Sequence, residues 1–346
     1  MSHVDDDDIE DPLPSRPTQR SSDEQEVLHV NVKDEVIEIN NVRLFSFDEV
    51  ALNELQNCTS LSMRKNLIHV LTDFPEALQR QLVELDLFDN KIRKIDGFFA
   101  QFSSLTKLDL SYNQIKEISG LEPLAPTLTE LYLVENRIKE ISGLDSLVNL
   151  RVLELGGNRL REVGDGLKEL VNLEELWLGK NKIAQLGSAF NTLKKLRRLS
   201  LQANRLTEVT QDVFPLDANP ALKELYLSEN GLQEISHVSK LSSIQLLDYS
   251  FNPIRVINGD EVNPSTMPIL EEFWLTDGKV DSWDEVSKFC GFGETLRTVY
   301  LERNPIEQDK RYRDKVYLAL PFLTQIDSWP IVNKGNVEAD RAIHRR

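Results

Sequence analysis

The sequence predicts an α/β solenoid in which short parallel strands stack one per repeat. Three observations carry this. The phrase "LTELYLVENRIKEI" at Leu128–Ile141 returns as "LRVLELGGNRLREV" from Leu150 and as "LEELWLGKNKIAQL" from Leu173. The shared frame is L-x-x-L-x-L-x-x-N-x-L/I. Its asparagines fall at Asn66, Asn90, Asn113, Asn136, Asn158, Asn181, Asn204, Asn230, Asn252 and Asn304, and Gly278 takes the same slot in "LEEFWLTDGKV". The successive spacings are 24, 23, 23, 22, 23, 23, 26, 22, 26 and 26 residues, and so regular a period marks an array of stacked units.

Frame and period together are those of a leucine-rich repeat. About eleven repeats of 22–26 residues are expected, with a cap at each end. Their strands form a curved parallel sheet on the concave face, and short helices or 3-10 turns line the convex face. Residues 1–30 are charged and polar, contain three prolines and show no period, and read as a disordered acidic tail. The repeat domain spans 31–328. "VIEINNVRLFSFDEV" (about 36–50) is a degenerate first repeat that caps the N-terminal end. Within each repeat "x-L-x-L-x" is a short strand whose leucines point into one continuous core. The asparagine stands where the chain leaves the strand, and its side chain pairs backbone groups of adjacent repeats that would otherwise be buried and unsatisfied. Gly278 cannot make those bonds, so an irregularity is expected there. The longer repeats bulge on the convex side, as the two prolines of "VTQDVFPLDANPA" (Val209–Ala221) suggest. The C-terminal cap, about 305–328, opens with an Asn-Pro turn and continues as a helix. Its Val316, Leu318, Leu320 and Leu323 close the core, and 329–346 is a polar, loosely ordered tail.

Composition excludes several functions. Lys and Arg number 40 against 57 Asp and Glu, a formal charge of -17, which disfavours nucleic acid and anionic membranes as partners. The 346 residues include two widely separated cysteines, so no disulfide framework is implied. The N-terminus lacks the apolar core of a secretory signal, and no run is long enough to span a bilayer. The sequon "NCT" at Asn57 is therefore expected to go unused. The expected address is nucleus and cytoplasm. The five histidines are dispersed, so no metal-ligand spacing appears. "GFGETL" at Gly291 lacks the third glycine and the strand-to-helix setting of a nucleotide fingerprint, and no hydrolase or phosphate-loop motif occurs. The chain is expected to be a non-enzyme that needs no cofactor or metal.

Function is expected in the variable slots. Numbering the frame L1-x2-x3-L4-x5-L6-x7-x8-N9, strand alternation sends x3, x5 and x7 to the face opposite the core. The x5 column reads Ser62, Asp86, Asp109, Tyr132, Glu154, Trp177, Ser200, Tyr226, Asp248, Trp274 and Tyr300; five of the eleven are Tyr or Trp and four are acidic. The x3 column adds Glu84, Glu130, Glu175, Glu224 and Glu272. Tyr and Trp are over-represented at protein-binding hot spots, and the acids suit a partner rich in Lys and Arg. The competing reading is that the aromatics only brace one another along the column.

Six phrases carry a family resemblance: "LYLVENRIKEI", "LELGGNRLREV", "LWLGKNKI", "LYLSENGLQEI", "EEFWLTDGKVDSW" and "TVYLERNPIEQDKRYRDKVYLALPFLTQID". Through them the chain, over about 30–328, resembles the leucine-rich-repeat regulatory subunits (regulatory subunit 7) of type-1 serine/threonine protein phosphatase. The resemblance implies a non-catalytic subunit, monomeric by itself, whose concave face grips the phosphatase catalytic subunit, in some members with a third, inhibitory protein. It points to Asp109, Tyr132, Glu154, Trp177, Glu272, Trp274 and Tyr300 as contacts; Tyr132 and Trp177 stand where the family often has Phe. The x5 column adds Tyr226 and Asp248. The alternative is a leucine-rich-repeat scaffold of ciliary or spliceosomal type with no phosphatase partner.

Overall fold

In a computed structural model the described residues are 27–29, 33–72, 74–209, 219–293 and 295–331. The predicted acidic tail up to residue 26, residues 210–218 of the long loop, and 332–346 lie outside them. The chain folds as a leucine-rich-repeat solenoid and divides into two compact units, Met1–Ile138 and Lys139–Arg346.

The first unit holds β1 (Val36–Glu38), β2 (Ser60–Ser62), β3 (Glu84–Asp86), β4 (Lys107–Asp109) and β5 (Glu130–Tyr132). They pair in sequence order, all parallel, with L4 opposite L4 in the repeats: Leu61↔Leu85, Leu85↔Leu108, Leu108↔Leu131. A one-residue slip would turn the leucines out to solvent, so the frame fixes the register. Leu85, Leu108 and Leu131 are all at most 1% exposed. Opposite the sheet, α1 (Glu76–Gln81) and 3-10 turns complete the repeats. Phe47, Phe74, Phe98, Phe99 and Phe102 pack there in edge-to-face, tilted and stacked pairs, with centroids 5.0–5.7 Å apart.

The second unit runs through β6 (Val152–Glu154), β7 (Glu175–Trp177), β8 (Arg198–Ser200), β9 (Glu224–Tyr226), β10 (Leu246–Asp248), β11 (Glu272–Trp274) and β12 (Thr298–Tyr300), again parallel and in order. Two further strands close the end: β13 (Gln325–Ile326), parallel to β12, and β14 (Trp329–Pro330), antiparallel to β13. Residues 329–331, expected to be loose, are therefore tied down, with Ile331 N–H donating to the Thr324 carbonyl. Two helices, α2 (Trp283–Ser287) and α3 (Tyr312–Ala319), lie on the other side.

The asparagine ladder takes the predicted form in both units. Asn113 Oδ1 accepts from the Ile92 N–H, while its Nδ2 donates to the Leu87 and Leu110 carbonyls. Asn181 does the same with Leu160, Leu155 and Leu178. At Gly278 the break is repaired locally. The Ile254 N–H, which an asparagine at 278 would have received, bonds the Asn252 carbonyl across Pro253 at 2.8 Å. A Cβ at 278 would lie 2.7 Å from Asn304 Oδ1 and 3.2 Å from the Ile254 carbonyl, so the neighbouring rung leaves no room for a side chain.

One regular feature is invisible in the sequence. The residue just before each frame asparagine, from Lys65 to Arg303, has φ between +52° and +67° in all eleven repeats, and only Gly157 among them is a glycine. This left-handed residue turns the chain out of the strand at a cost of about 1–3 kcal/mol each, which the asparagine bonds offset.

The cap departs from expectation at one residue. Val316, Leu320 and Leu323 are fully buried, but Leu318 is 69% exposed. Tyr312, Val316 and Leu320 recur every four residues on one face of α3, and Leu318 sits about 200° round the helix from Val316. Tyr312, 6% exposed, takes its place in the core. Its hydroxyl donates to Oδ1 of Asp327, which also accepts the Leu301 and Glu302 N–H groups. Asp327 thus takes the place of the next strand's carbonyl, the role the Tyr300 carbonyl plays for the Leu275 N–H one repeat earlier. Burial raises its carboxyl above the usual range.

Candidate partner-binding face

Strand pairing sets the predicted side chains in file. In the first unit Asp109 and Tyr132 are register partners on β4 and β5. In the second, Glu154 pairs with Trp177, Tyr226 with Asp248, Asp248 with Trp274, and Trp274 with Tyr300; Glu272 shares β11 with Trp274. Asp109, Tyr132, Glu154, Trp177, Tyr226, Glu272, Trp274 and Tyr300 are half-buried rather than freely exposed.

Asp248 is a correction: it is 5% exposed, and its Oδ1 accepts the Ser250 N–H. Its position explains this. Tyr226 and Trp274, one strand away on either side, lean together over it with centroids 6.2 Å apart. Trp177 and Tyr226 meet in the same way over Ser200, stacked at 6.3 Å, and Ser200 is 1% exposed. Strands two apart are separated by about 9.6 Å, so large rings touch only where the intervening residue is small. Trp274 and Tyr300, on adjacent strands, are 5.2 Å apart. The result is a continuous platform of four rings in the second unit. Asp248 supports it from below and is withdrawn from the list of direct contacts.

The ring tips are held by acids two residues earlier on the same strand. Tyr132 donates to Glu130 Oε2 at 2.8 Å and Tyr226 to Glu224 Oε2 at 2.8 Å. The indoles of Trp177 and Trp274 donate to Glu175 and Glu272 at 3.3 and 3.0 Å. Residues i and i+2 of a strand share a face, so "Glu-Leu-Tyr" and "Glu-Phe-Trp" are self-orienting units. On β12 a threonine replaces the acid, and the Tyr300 hydroxyl instead accepts from Gln325 Nε2 at 2.7 Å. Burial raises the Tyr226 phenol above its usual range, helped by Glu224, and burial raises that of Tyr300. Both stay protonated and able to donate.

Sequence reasoning missed two bases. Arg198, at x3 of β8, donates from Nε and Nη2 to Glu224 at 2.6 and 2.7 Å and from Nη1 to Glu175 at 3.1 Å, with its guanidinium 5.5 Å from the Trp177 ring. That hydrogen bond holds the Glu224 carboxyl below its usual range. Lys107, at x3 of β4, lies 4.0 Å from Glu130 and 5.9 Å from the Tyr132 ring. The signal was available: a base at x3 beside glutamates at x3 of neighbouring repeats must face them.

Among the described residues no group of three or more His, Cys, Asp or Glu could hold a metal, and no helix is long and apolar enough to cross a membrane. Burial pushes the Cys58 thiol up to about 11, which keeps it protonated and unreactive.

Two repeat families match, described as "Leucine Rich repeats (2 copies)" over 80–123 and 126–169 and "Leucine rich repeat" over 148–206 and 194–254. With fold and register, these place the chain among the leucine-rich-repeat proteins. Within that class it is similar to "Protein phosphatase 1 regulatory subunit 7" of Homo sapiens, at 49% identity over 49 residues. The match covers 14% of this chain and only 13% of the relative's length. Among solved structures, a leucine-rich-repeat protein of Leptospira interrogans superposes with TM-score 0.60 at 25% identity, covering 79% of this chain and 73% of that one. An internalin of Listeria monocytogenes superposes with TM-score 0.65 at 19% identity, covering 86% and 87%; that likeness shows the fold alone.

Proposed function

We propose that the chain is a non-catalytic regulatory subunit that docks the catalytic subunit of a type-1 serine/threonine protein phosphatase on the open face of its sheet, in nucleus and cytoplasm, and controls its activity, maturation or location. The observation that carries this is the platform of Trp177, Tyr226, Trp274 and Tyr300 with Glu175, Glu224 and Glu272 set around it. Rings anchored at their tips lose little freedom on binding, and large amphipathic anchors of this kind dominate protein interfaces. The rings also brace one another, as a purely structural column would. That contact does not account for tips turned towards acids on the open side. The phosphatase is named by the similar regulatory subunits, and the formal charge of -17 favours a partner with a basic docking surface.

Titration calorimetry of the purified chain with the purified catalytic subunit tests the reading. A saturable complex of one to one stoichiometry is expected, weakened by added salt. No heat of binding, together with capture of some other protein complex, would favour the scaffold reading instead.

A further inference from the structure

The acids of the platform are not equivalent, and Arg198 makes the difference. Its guanidinium forks onto both oxygens of Glu224 and reaches Glu175 with its remaining nitrogen. Those same carboxylates hold the tips of Tyr226 and Trp177. Glu224 is thus engaged on both oxygens, in a planar, two-pronged geometry that is the strongest form of such a pair, while Glu175 takes both of its bonds on Oε2. All three side chains are only about a third exposed, Arg198 at 32%, Glu175 at 35% and Glu224 at 27%. Glu272 is different. Its Oε2 accepts from the Trp274 indole, and among the described residues no basic side chain pairs with it.

We propose that Arg198 is a built-in counter-ion and a specificity-determining residue: it turns a partner's lysine or arginine away from the Trp177–Tyr226 stretch and directs it to Glu272 beside Trp274. An incoming cation near Glu175 or Glu224 meets carboxylates that already share one guanidinium, and the fixed positive charge of Arg198 lies beside it and repels it. The Trp177–Tyr226 stretch then receives an apolar or uncharged part of the partner, and the Glu272–Trp274 stretch receives its charge. This rests on the docking reading for the identity of the partner, but the charge pattern can be tested without it.

Each acid has its own reporter, because the Trp177 indole N–H donates to Glu175 and that of Trp274 to Glu272. The experiment follows the indole N–H resonances of the isotope-labelled full chain, assigned by single Trp→Phe changes, during titration with octalysine. In the wild type the Trp274 resonance is expected to move and the Trp177 resonance to stay. In Arg198→Met both should move, with apparent affinity at Trp177 raised at least about fivefold. Arg198→Lys, which keeps the charge, should behave more like wild type. Arg198→Gln is a second neutral variant in case methionine disturbs folding, and the wild-type arm stands without either. Equal movement of both indoles in the wild type, no movement of either in any protein, or a silent Trp177 in a folded neutral variant would overturn the proposal. The same samples are titrated with phosphatase catalytic subunit. A wild type that shows the indole pattern but does not bind the phosphatase would sink the docking reading and leave the role of Arg198 standing.

Discussion

Asn181 shows how one side chain holds two repeats together. Its amide accepts the Leu160 N–H and donates to the Leu155 and Leu178 carbonyls, and the residue is 8% exposed. Asn181→Ala leaves those backbone groups buried without a partner, so a stability loss of about 1–3 kcal/mol is expected in denaturant melts. An unchanged midpoint would mean the ladder is not under load. Asp327 invites a pH test. Burial raises its folded-state carboxyl above the ordinary range. A raised acid contributes stability that is fully present below the unfolded value and is lost as pH rises through the folded one. Asp327→Asn keeps an oxygen for Leu301, Glu302 and Tyr312, tolerates the residue's φ of +53°, and cannot ionise. Its melting temperature relative to wild type should therefore be highest near neutral pH and fall as pH drops into the carboxylate range. A difference that does not vary with pH would show that Asp327 does not carry this linkage.

At the scale of elements, the C-terminal cap is the piece the repeats cannot do without. Val316, Leu320 and Leu323 lie over the last repeat, and Asp327 pairs the Leu301 and Glu302 amides. A chain ending before Asn304 would expose leucine core and a strand edge, and insoluble or aggregating protein is expected on expression. A soluble fragment with a cooperative melt would show the cap to be dispensable. The strands, their register and the asparagine ladder were legible because every repeat must satisfy the same demands and so spells them alike. The left-handed residue before each asparagine was not, because side chains as unlike as Lys, Asp, Tyr, Ala and Phe occupy it and only one repeat flags it with a glycine, Gly157. Leu318 was misplaced because the cap was read as a list of apolar residues rather than as a helix with one buried face. In the binding face, the column was legible from strand alternation alone. The burial of Asp248 was not, because it depends on rings from both neighbouring strands closing over it, a contact between repeats that no single repeat encodes. Arg198 escaped because the x3 column was searched for acids only.

At the scale of the whole molecule, we propose that the face of the sheet carrying Trp274 and Glu272 grips a basic partner, the phosphatase catalytic subunit. Both side chains stand opposite the core residue Phe273, which is 0% exposed, so changing them should leave the fold intact. Truncating a central aromatic anchor typically costs more than about 2 kcal/mol of binding, while contacts at the rim cost little. The most direct measurement is titration calorimetry of purified catalytic subunit into wild type, Trp274→Ala, Glu272→Lys and Lys168→Ala, with circular dichroism of each. Lys168 is an exposed residue away from the strands and serves as the control. Trp274→Ala and Glu272→Lys should each weaken binding by at least about thirtyfold with unchanged spectra, and Lys168→Ala should bind as wild type does. If Trp274→Ala and Glu272→Lys both bind like the wild type, this face is not the docking surface.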